Sequence, residues 1–193
     1  MTPTDHPNPC QGEEENLDCW AKALEQHDRE TEQHSRRTVG LAMSLAKEMG
    51  CSEEEIEFVR RGALLHDIGK MVVPEQILMK PGPLTDREMI EMKKHPVYAK
   101  EMLSGIPYLE PSVNIPYFHH ERWDGKGYPT GLHGNDIPLT ARIFTVVDQW
   151  DAMNSDRPYR RAWEKEDVIA YIKANSGRIY DPDVVDAFFR VVQ

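Results

Sequence analysis

Apolar residues recur at steps of three and four along most of the chain, the spacing that places them on one face of an α-helix. The stretch from Cys19 to Gly50 is the clearest example, because its apolar positions keep this spacing and a glycine ends it. Similar patterns predict further helices from Ser52, from Thr85, over 111–121, from Pro138 to Met153, over 165–174 and over 182–192. No segment alternates with a period of two, so the pattern predicts an all-α domain of about seven helices.

Capping residues indicate where two of these helices begin. Ser52 is followed three residues later by Glu55, and Thr85 is followed by Glu88 at the same spacing. A serine or threonine with a glutamate three residues on can satisfy free N–H groups in the first turn of a helix. We therefore expect helices that start directly after Ser52 and Thr85.

Prolines are expected to interrupt two helices close to histidines. Pro96 directly follows His95 and should break its helix or begin a new one. Pro116 should kink the predicted helix over 111–121 just before a pair of adjacent histidines. The direction in which these imidazoles point therefore depends on the two breaks.

Length and composition are those of one globular domain. The chain has 193 residues, of which 39% are hydrophobic and 29% are charged. Residues 1–18 lack apolar periodicity, so we expect a flexible N-terminal leader followed by one domain over 19–193. No apolar run approaches the roughly 18 residues of a membrane span, and we expect a cytoplasmic protein without membrane association. The cysteines form no CxxC pair and are predicted to be reduced.

The net charge of −10 argues against binding of polymeric nucleic acid, which is usually held by a basic surface. It permits a small anionic ligand if positive charge is concentrated locally. An acidic chain that binds phosphate would need metal ions or a few well-placed arginines and lysines.

The most informative stretch is Ala63–Lys70, in which an apolar run ends in a histidine, an aspartate, a glycine and a lysine. Burial of His66 and Asp67 without partners would cost several kcal/mol. A divalent metal is one solution, because imidazole and carboxylate are ordinary ligands and the two oxygens of Asp67 can bridge two ions. A buried hydrogen bond between the two side chains is the alternative that this stretch leaves open.

Residue types that bind metal recur at or near the ends of other predicted helices. The candidate ligands are Glu30, His34, His66, Asp67, His95, His119, His120 and Asp148. Glu30 and His34 are four residues apart and share one helical face. Histidines that occur together with carboxylates in this way are more typical of a metal site than of unrelated core positions. The wider pattern therefore favours metal over a simple histidine–aspartate pair.

Two motifs in the chain resemble those of a known family. The HDIGK sequence at 66–70 resembles the signature of HD-domain metal-dependent phosphohydrolases. The HHERWDGKGYP sequence at 119–129 resembles the second signature of their HD-GYP subfamily and is far more specific than the HD pair. The likeness extends over about residues 30–192. It implies an HD-type helical domain with the metal site in the core of the helix bundle.

The resemblance implies a phosphodiesterase that hydrolyses cyclic di-GMP to linear pGpG, with further cleavage to GMP left open. Two ions about 3.5–4 Å apart, bridged by Asp67 and a water, would activate that water for in-line attack on phosphorus. The implied ligands are His34, His66, Asp67 and Asp148 for one ion, and Asp67, His95, His119 and His120 for the other or others. A glutamate at the position of Glu30 accompanies a third metal in the family, so two or three ions are expected. Ligands without thiolate favour iron or manganese.

Substrate contacts are expected from Lys70, Gly127, Tyr128, Arg157 and Arg160. Lys70 would reach a phosphate oxygen or the leaving O3′ beside the catalytic Asp67, although it could instead bind carbonyls at a helix end. Arg157 and Arg160 would hold phosphate as guanidinium forks, and a solvated face is the alternative. Gly127 would shape its loop, and Tyr128 would face guanine or phosphate, or only pack in the turn.

Two other functions stay open on the sequence alone. A sensor or adaptor would bind the cyclic dinucleotide without cutting it. A phosphodiesterase for another cyclic dinucleotide, such as cyclic GMP-AMP, is the other possibility, because no side chain identifies the guanine edge. Regulation is expected to come from a partner protein or from the leader, or to be absent, and a homo-oligomer is compatible with the sequence.

Overall fold

Helices form nearly all of the regular structure that the computed structural model describes, which covers residues 12–28, 32–156 and 161–192. The α-helices are α1 (Glu13–Asp28), α2 (Glu32–Glu48), α3 (Glu53–Leu64), α4 (Glu75–Leu78), α5 (Asp86–Met92), α6 (His95–Leu103), α7 (Asn114–Phe118), α8 (Leu139–Asn154), α9 (Lys165–Ala174) and α10 (Pro182–Val191). The 3₁₀ helices are η1 (Ile68–Val72), η2 (Glu110–Ser112) and η3 (Gly134–Asp136). Within these residues seven α-helices have nine or more residues, and the only β-type pairing is an isolated bridge between Ser176 and Tyr180. The prediction of an all-α domain is confirmed.

Both predicted capping boxes are present. At the start of α3, the Glu55 N–H donates to the Ser52 hydroxyl at 3.2 Å, and the Ser52 N–H donates to the Glu55 carboxylate at 2.8 Å. At the start of α5, Thr85 and Glu88 make the same pair of contacts at 3.4 and 2.7 Å. These helices begin where predicted because a capping box depends only on residues three apart.

The first helix begins earlier than predicted. The apolar pattern predicts one helix from Cys19, whereas α1 begins at Glu13, and the described residues contain two helices, α1 and α2, in its place. Leu17 and Leu24 are seven residues apart, so they share a face of α1 and pack in one apolar cluster. The predicted flexible leader over 1–18 overlaps α1, so that prediction is wrong from Glu13 onward. Residues 1–11 of the predicted leader lie outside the described residues.

Pro116 does not kink a long helix. The helix predicted over 111–121 is replaced by η2 and the short α7, and Pro116 is the third residue of α7. The N–H groups of a first helical turn have no partner within the helix, so a proline costs little there. The kink prediction is therefore wrong, and the adjacent histidines instead follow the end of α7.

Two apolar clusters form the core. The larger joins α2, α3, α8, α9 and α10 around residues such as Phe144, and the smaller joins α1 and α6 with Leu65 and Ile68. Leu65 and Ile68 flank the His66–Asp67 pair in sequence, and the Phe144 ring lies 4.8 Å from the His66 ring. The pair therefore lies where the two clusters meet, and it is buried.

Two expectations drawn from composition can be compared with the described residues. Every helix in this part of the chain is too short or too polar to cross a bilayer. Cys19 is disulfide-bonded, so the prediction of reduced cysteines is wrong there, whereas Cys51 is a free thiol. Cys10 lies outside the described residues.

Candidate metal centre

Seven of the eight predicted metal ligands come together in the structure. They form two groups, and within each group the ligand atoms all lie within 4.8 Å of one another. The four-residue group is Asp67, His95, His119 and His120, and the three-residue group is His34, His66 and Asp148. The eighth predicted ligand, Glu30, lies outside the described residues. The two groups together form a cluster that can hold metal ions.

Five separate segments of the chain supply these side chains. His34 comes from α2, His66 and Asp67 from the turn between α3 and η1, His95 from the first position of α6, His119 and His120 from the residues after α7, and Asp148 from α8. Pro96 is the second residue of α6 and starts that helix afresh after α5, as predicted. It thereby places His95 at a buried helix N-terminus.

The glycine of the HDIGK motif allows two of these segments to approach closely. A Cβ atom built on Gly69 would lie 1.9 Å from the His95 carbonyl oxygen and 2.6 Å from the Ala99 nitrogen. Both atoms belong to backbone and cannot move aside independently, so no larger residue fits. The contact of η1 with the first turn of α6 therefore depends on Gly69, and it brings Asp67 beside His95.

Asp67 lies between the two groups, with one oxygen toward each. Its Oδ1 is 3.2 Å from Nε2 of His95 and 3.8 Å from Nε2 of His119. Its Oδ2 is 3.1 Å from Nε2 of His66, which belongs to the three-residue group. A carboxylate in this position can donate one oxygen to each of two ions, as the sequence predicts.

Three of the imidazoles use Nδ1 to donate to backbone carbonyls. The Nδ1 atoms of His66, His95 and His119 lie 2.8, 2.9 and 3.0 Å from the carbonyl oxygens of Ala63, Met92 and Ile115, respectively. A carbonyl only accepts, so Nδ1 of each neutral ring must carry the proton and Nε2 must present a lone pair. The fold thereby fixes the tautomer in which Nε2 can bind a metal.

The residues present fit a metal centre. Nε2 of His95 and Nε2 of His119 are 3.5 Å apart, and both face Oδ1 of Asp67, so three lone-pair atoms converge. Oδ1 is buried without a hydrogen-bond partner among the described residues. Neutral imidazoles of this tautomer cannot donate to it, which argues against the simple histidine–aspartate hydrogen bond. A cation satisfies all three atoms together.

The protonation states also suit metal ligation. Burial opposes ionisation of Asp67, but the charge of the Lys70 ammonium outweighs it and holds the pKa of Asp67 well below the usual value. Burial and the nearby His120 lower the pKa of His119 well below its usual value. Burial, with a smaller effect of His95, lowers the pKa of His120 to about 3. At neutral pH the carboxylate is therefore charged and these two imidazoles are neutral, as metal binding requires.

A carboxylate that sequence reasoning did not select as a site residue contacts His34. Asp151 Oδ2 lies 2.7 Å from Nδ1 of His34, and Asp151 is 6% exposed. The Arg37 guanidinium donates to both oxygens of this carboxylate, at 2.5 and 3.0 Å. Burial acts to raise the pKa of Asp151, but the hydrogen bonds from His34 and Arg37 lower it to about 2. Its spacing of three from Asp148 on α8 is the signal that could have identified it.

A second missed carboxylate closes the loop that follows the histidine pair. Glu121 is 1% exposed, and its Oε1 accepts hydrogen bonds from the Thr130 N–H, the Thr130 hydroxyl and the Gly131 N–H at 2.7, 2.8 and 3.0 Å. A buried carboxylate that gathers several donors holds a loop of irregular backbone together. Glu121 therefore positions the segment that contains Gly127 and Tyr128.

Tyr128 reaches the metal cluster through His120. The two rings are stacked, with centroids 4.6 Å apart and an interplanar angle of 23°. Lys93 Nζ lies 5.2 Å from the centroid of the Tyr128 ring, which adds a cation–π contact at the edge of the site. A Cβ atom at Gly127 would lie 2.4 Å from both Arg122 N and Glu121 Cα, so only glycine fits there. A Cβ at Gly127 would also lie 2.6 Å from the His120 carbonyl oxygen, so both predicted loop residues lie beside His120, a candidate metal ligand.

The remaining predicted substrate residues divide into two sets. Lys70 is next to the cluster, with Nζ 2.7 Å from Asp67 Oδ2, a contact that neither sequence interpretation anticipated. Arg157 and Arg160 lie outside the described residues. Their roles stay predictions.

Comparisons with known proteins agree with this geometry. The sequence model of the HD domain family matches residues 18–184. The chain is 44% identical over 180 residues to "Cyclic di-GMP phosphodiesterase response regulator RpfG" of Xanthomonas campestris, covering 92% of this chain and 48% of that protein. It is 37% identical over 168 residues to "3'3'-cGAMP-specific phosphodiesterase 2" of Vibrio cholerae, covering 86% of this chain and 32% of that protein. The chain thus spans half or less of the length of these curated relatives.

A solved structure has the same fold. Bd1817, an HDG"Y"P protein from Bdellovibrio bacteriovorus, superposes with a TM-score of 0.68 at 17% identity, covering 92% of this chain and 60% of that one. Because the identity is so low, this likeness concerns the arrangement of helices alone. The family match extends over most of the chain and includes all seven clustered ligands. The chain therefore belongs to the HD domain family.

Proposed function

We propose that this chain is a metal-dependent phosphodiesterase that hydrolyses cyclic di-GMP to linear pGpG, with GMP as the product of a second cleavage. The observation that carries the proposal is the meeting of six predicted ligands around a seventh, Asp67, with ring nitrogens turned toward its carboxylate. The reaction class is supported by the names of both curated relatives, which contain the word phosphodiesterase.

Two or three ions would be held by the two groups of side chains. Asp67 would be shared between the groups, and Glu30, four residues before His34, would supply a ligand for a third ion. Iron or manganese is proposed because the donors are imidazole nitrogens and carboxylate oxygens without thiolate. When bound, such ions neutralise phosphoryl oxygens and lower the pKa of coordinated water, so that a nucleophile is available at neutral pH.

The chain's own residues would prepare the phosphodiester for this chemistry. Hydrolysis joins the oxygen of one water to phosphorus and breaks the bond to O3′, which leaves with a proton. Asp67 keeps the two groups at a fixed separation because it contacts a histidine of each. Lys70, whose ammonium lies 2.7 Å from Asp67 Oδ2, would approach a phosphate oxygen or the leaving O3′ and stabilise the negative charge there.

Substrate binding would involve the loop after the histidine pair and two arginines. Tyr128 is stacked on His120 and would face a guanine base or a phosphate, and Gly127 would shape the loop around it. Arg157 and Arg160 would supply guanidinium forks for the phosphates. Positive charge concentrated in this way would offset the net charge of −10 for an anionic substrate.

Cyclic GMP-AMP is the second candidate substrate. The Vibrio cholerae relative, 37% identical to this chain, carries a name that specifies this dinucleotide. The two substrates share their phosphodiester chemistry and differ in one base. The residues around Asp67 would act on the phosphate and not on the bases, so the proposed metal centre would serve both substrates.

The test is turnover by purified protein loaded anaerobically with Fe²⁺ or with Mn²⁺. Cyclic di-GMP and cyclic GMP-AMP are supplied in parallel, and pGpG and GMP are separated by chromatography. The proposal expects pGpG from cyclic di-GMP only when metal is present. Faster turnover of cyclic GMP-AMP would favour the second substrate. Binding of either dinucleotide without any cleavage would contradict the enzyme and favour a sensor or adaptor.

Three further features belong to the same proposal. The catalytic domain would occupy residues 19–193, and α1, which begins at Glu13, extends it into the segment predicted as a leader. The protein would act in the cytoplasm, where its dinucleotide substrate would be a second messenger. Regulation would come from a partner protein or from a homo-oligomer, and the words response regulator in the name of the Xanthomonas relative support regulated activity.

A further inference from the structure

The Nδ1 atom of His34 contacts a different kind of acceptor from the one that the Nδ1 atoms of three other imidazoles in the cluster contact. His66, His95 and His119 face backbone carbonyls through Nδ1. His34 instead faces Oδ2 of Asp151 at 2.7 Å. A carboxylate partner makes the ring a stronger electron donor than a carbonyl partner does, because it stabilises positive charge on the imidazole.

Asp151 is held in place by an arginine from the same helix as His34. Arg37 donates through Nε to Oδ1 at 2.5 Å and through Nη2 to Oδ2 at 3.0 Å, which is a two-bond fork. Arg37 Nη2 also lies 3.1 Å from the Ser155 hydroxyl at the end of α8. The side chain of Asp151 is 8% exposed, whereas that of Arg37 is 47% exposed. The carboxylate is therefore shielded from water and fixed in one orientation toward His34.

We infer that Asp151, oriented by Arg37, is a positioning residue that strengthens metal binding by the His34–His66–Asp148 group selectively, so that the two metal positions differ in affinity. This inference rests on the proposed metal centre and adds a distinction within it. Neither Asp151 nor Arg37 reaches the four-residue group, whose His95 and His119 have carbonyl partners. Removal of this carboxylate should therefore weaken one metal position and leave the other.

The size of the effect follows from the position of Asp151 in the second layer around the metal. Loss of a hydrogen-bonded partner behind a ligating histidine weakens metal binding by about 10- to 100-fold. Asp67, which the two groups share, is not altered. The ligand atoms of the four-residue group all stay in place in an Asp151 variant. The metal affinity of the four-residue group should change by less than about twofold in this variant. The metal affinity of the His34 group should fall by about 10- to 100-fold.

The experiment is a titration of metal-free protein with Mn²⁺. Binding is monitored by calorimetry and by the electron paramagnetic resonance signal of free Mn²⁺. Wild-type protein should bind in two affinity classes. Asp151→Asn, which keeps an acceptor for His34 but removes the charge, should weaken one class about 10- to 100-fold and leave the other unchanged. Arg37→Gln should shift the same class in the same direction, because it releases the carboxylate without removing it.

Asp181→Asn is the matched control. Asp181 is 3% exposed and pairs with Arg142 across 2.5 Å, so it is also a buried carboxylate held by an arginine, and it does not belong to either ligand group. This variant should lower the melting temperature and leave both Mn²⁺ affinities unchanged. Melting curves of the metal-free variants establish that Asp151→Asn is folded, and Arg37→Gln carries the test if it is not.

Two results would overturn the inference while the proposed metal centre stands. One is equal weakening of both Mn²⁺ classes in Asp151→Asn, which would indicate a general structural role. The other is unchanged affinity of both classes in Asp151→Asn and Arg37→Gln. Failure of wild-type protein to bind Mn²⁺ at all would instead contradict the proposed centre, and the inference with it.

Discussion

Nε2 of His95 lies 3.2 Å from Oδ1 of Asp67, while Nδ1 of the same ring faces the Met92 carbonyl at 2.9 Å. The carbonyl can only accept, so Nε2 presents its lone pair to a carboxylate oxygen. Two acceptors that face each other in a buried site repel unless a cation or a proton lies between them. A metal ion between the two atoms removes this repulsion. Substitution of Asp67 tests whether this carboxylate binds such an ion.

Asp67→Asn is expected to abolish metal retention and turnover together. The amide offers one neutral oxygen in place of two charged ones, so it cannot serve both ligand groups. Since loss of a partner behind a ligand costs about 10- to 100-fold, loss of a ligand shared by both groups should lower metal content and turnover each by about 100-fold or more. Elemental analysis of protein purified without chelators, with turnover measured on the same sample, checks this. Full metal occupancy in Asp67→Asn would contradict the bridging role.

Gly69→Ala should destabilise the protein and displace a metal ligand. Its Cβ would lie 1.9 Å from the His95 carbonyl oxygen, so η1 and α6 would have to separate. We expect a loss of about 3 kcal/mol in the free energy of unfolding, the upper end of the usual range, because overpacking here meets backbone atoms. Urea unfolding of metal-free protein measures it. Gly40→Ala is the control, since a Cβ there meets nothing within 4 Å and should be neutral or stabilising.

The ligands could be found from sequence because each depends on short-range signals. The HDIGK motif indicates that His66 and Asp67 follow the end of α3, and the capping box before α5 with Pro96 indicates that His95 begins a new helix. The effect of Pro116 depends on where α7 begins. Neither η2 nor α7 has a capping side chain at its start, so the sequence contains no signal for the beginning of α7. The burial of Leu17 was missed because it arises from contacts of α1 with distant segments.

The contact between Asp151 and His34 could not be predicted from local pattern. The residues are 117 positions apart, and their pairing depends on how α2 and α8 are rotated against each other. Rotation of either helix by one residue turns a side chain through roughly 100°. The spacing of three between Asp148 and Asp151 reveals a shared face, but only the packed structure shows which face meets α2.

Glu121→Ala should impair substrate binding more than metal binding. Its Oε1 accepts three hydrogen bonds from Thr130 and Gly131, and their loss frees the loop that holds Tyr128 against His120. We expect a stability loss of about 1–3 kcal/mol and a raised KM with little change in metal content. Glu121→Gln keeps an acceptor and should give a smaller rise. An unchanged KM in Glu121→Ala would show that the loop does not depend on this carboxylate.

Glu88→Gln should change the acid sensitivity of the metal-free protein. Hydrogen bonds from Lys80 and from the Thr85 backbone and hydroxyl lower the pKa of Glu88 from 4.5 to about 2. A lowered folded-state pKa stabilises the fold above the unfolded value, and this contribution disappears as pH falls from 4.5 toward 2. Wild type should therefore be more stable than Glu88→Gln at pH 6, with the difference vanishing near pH 2. A difference independent of pH, measured by urea unfolding, would contradict the assignment.

Arg157→Ala should weaken substrate binding and leave the metals in place. A guanidinium that forks onto a phosphate acts on the substrate and not on the ligand groups, so KM should rise while metal content per chain stays at the wild-type value. We expect a rise of about tenfold, which corresponds to a loss of about 1.4 kcal/mol in binding free energy. Arg161→Ala is the control, because Arg161 is an exposed arginine from the same short basic stretch. Equal effects of the two substitutions would indicate a general influence of surface charge, and loss of metal in Arg157→Ala would place this arginine in support of the ligands instead.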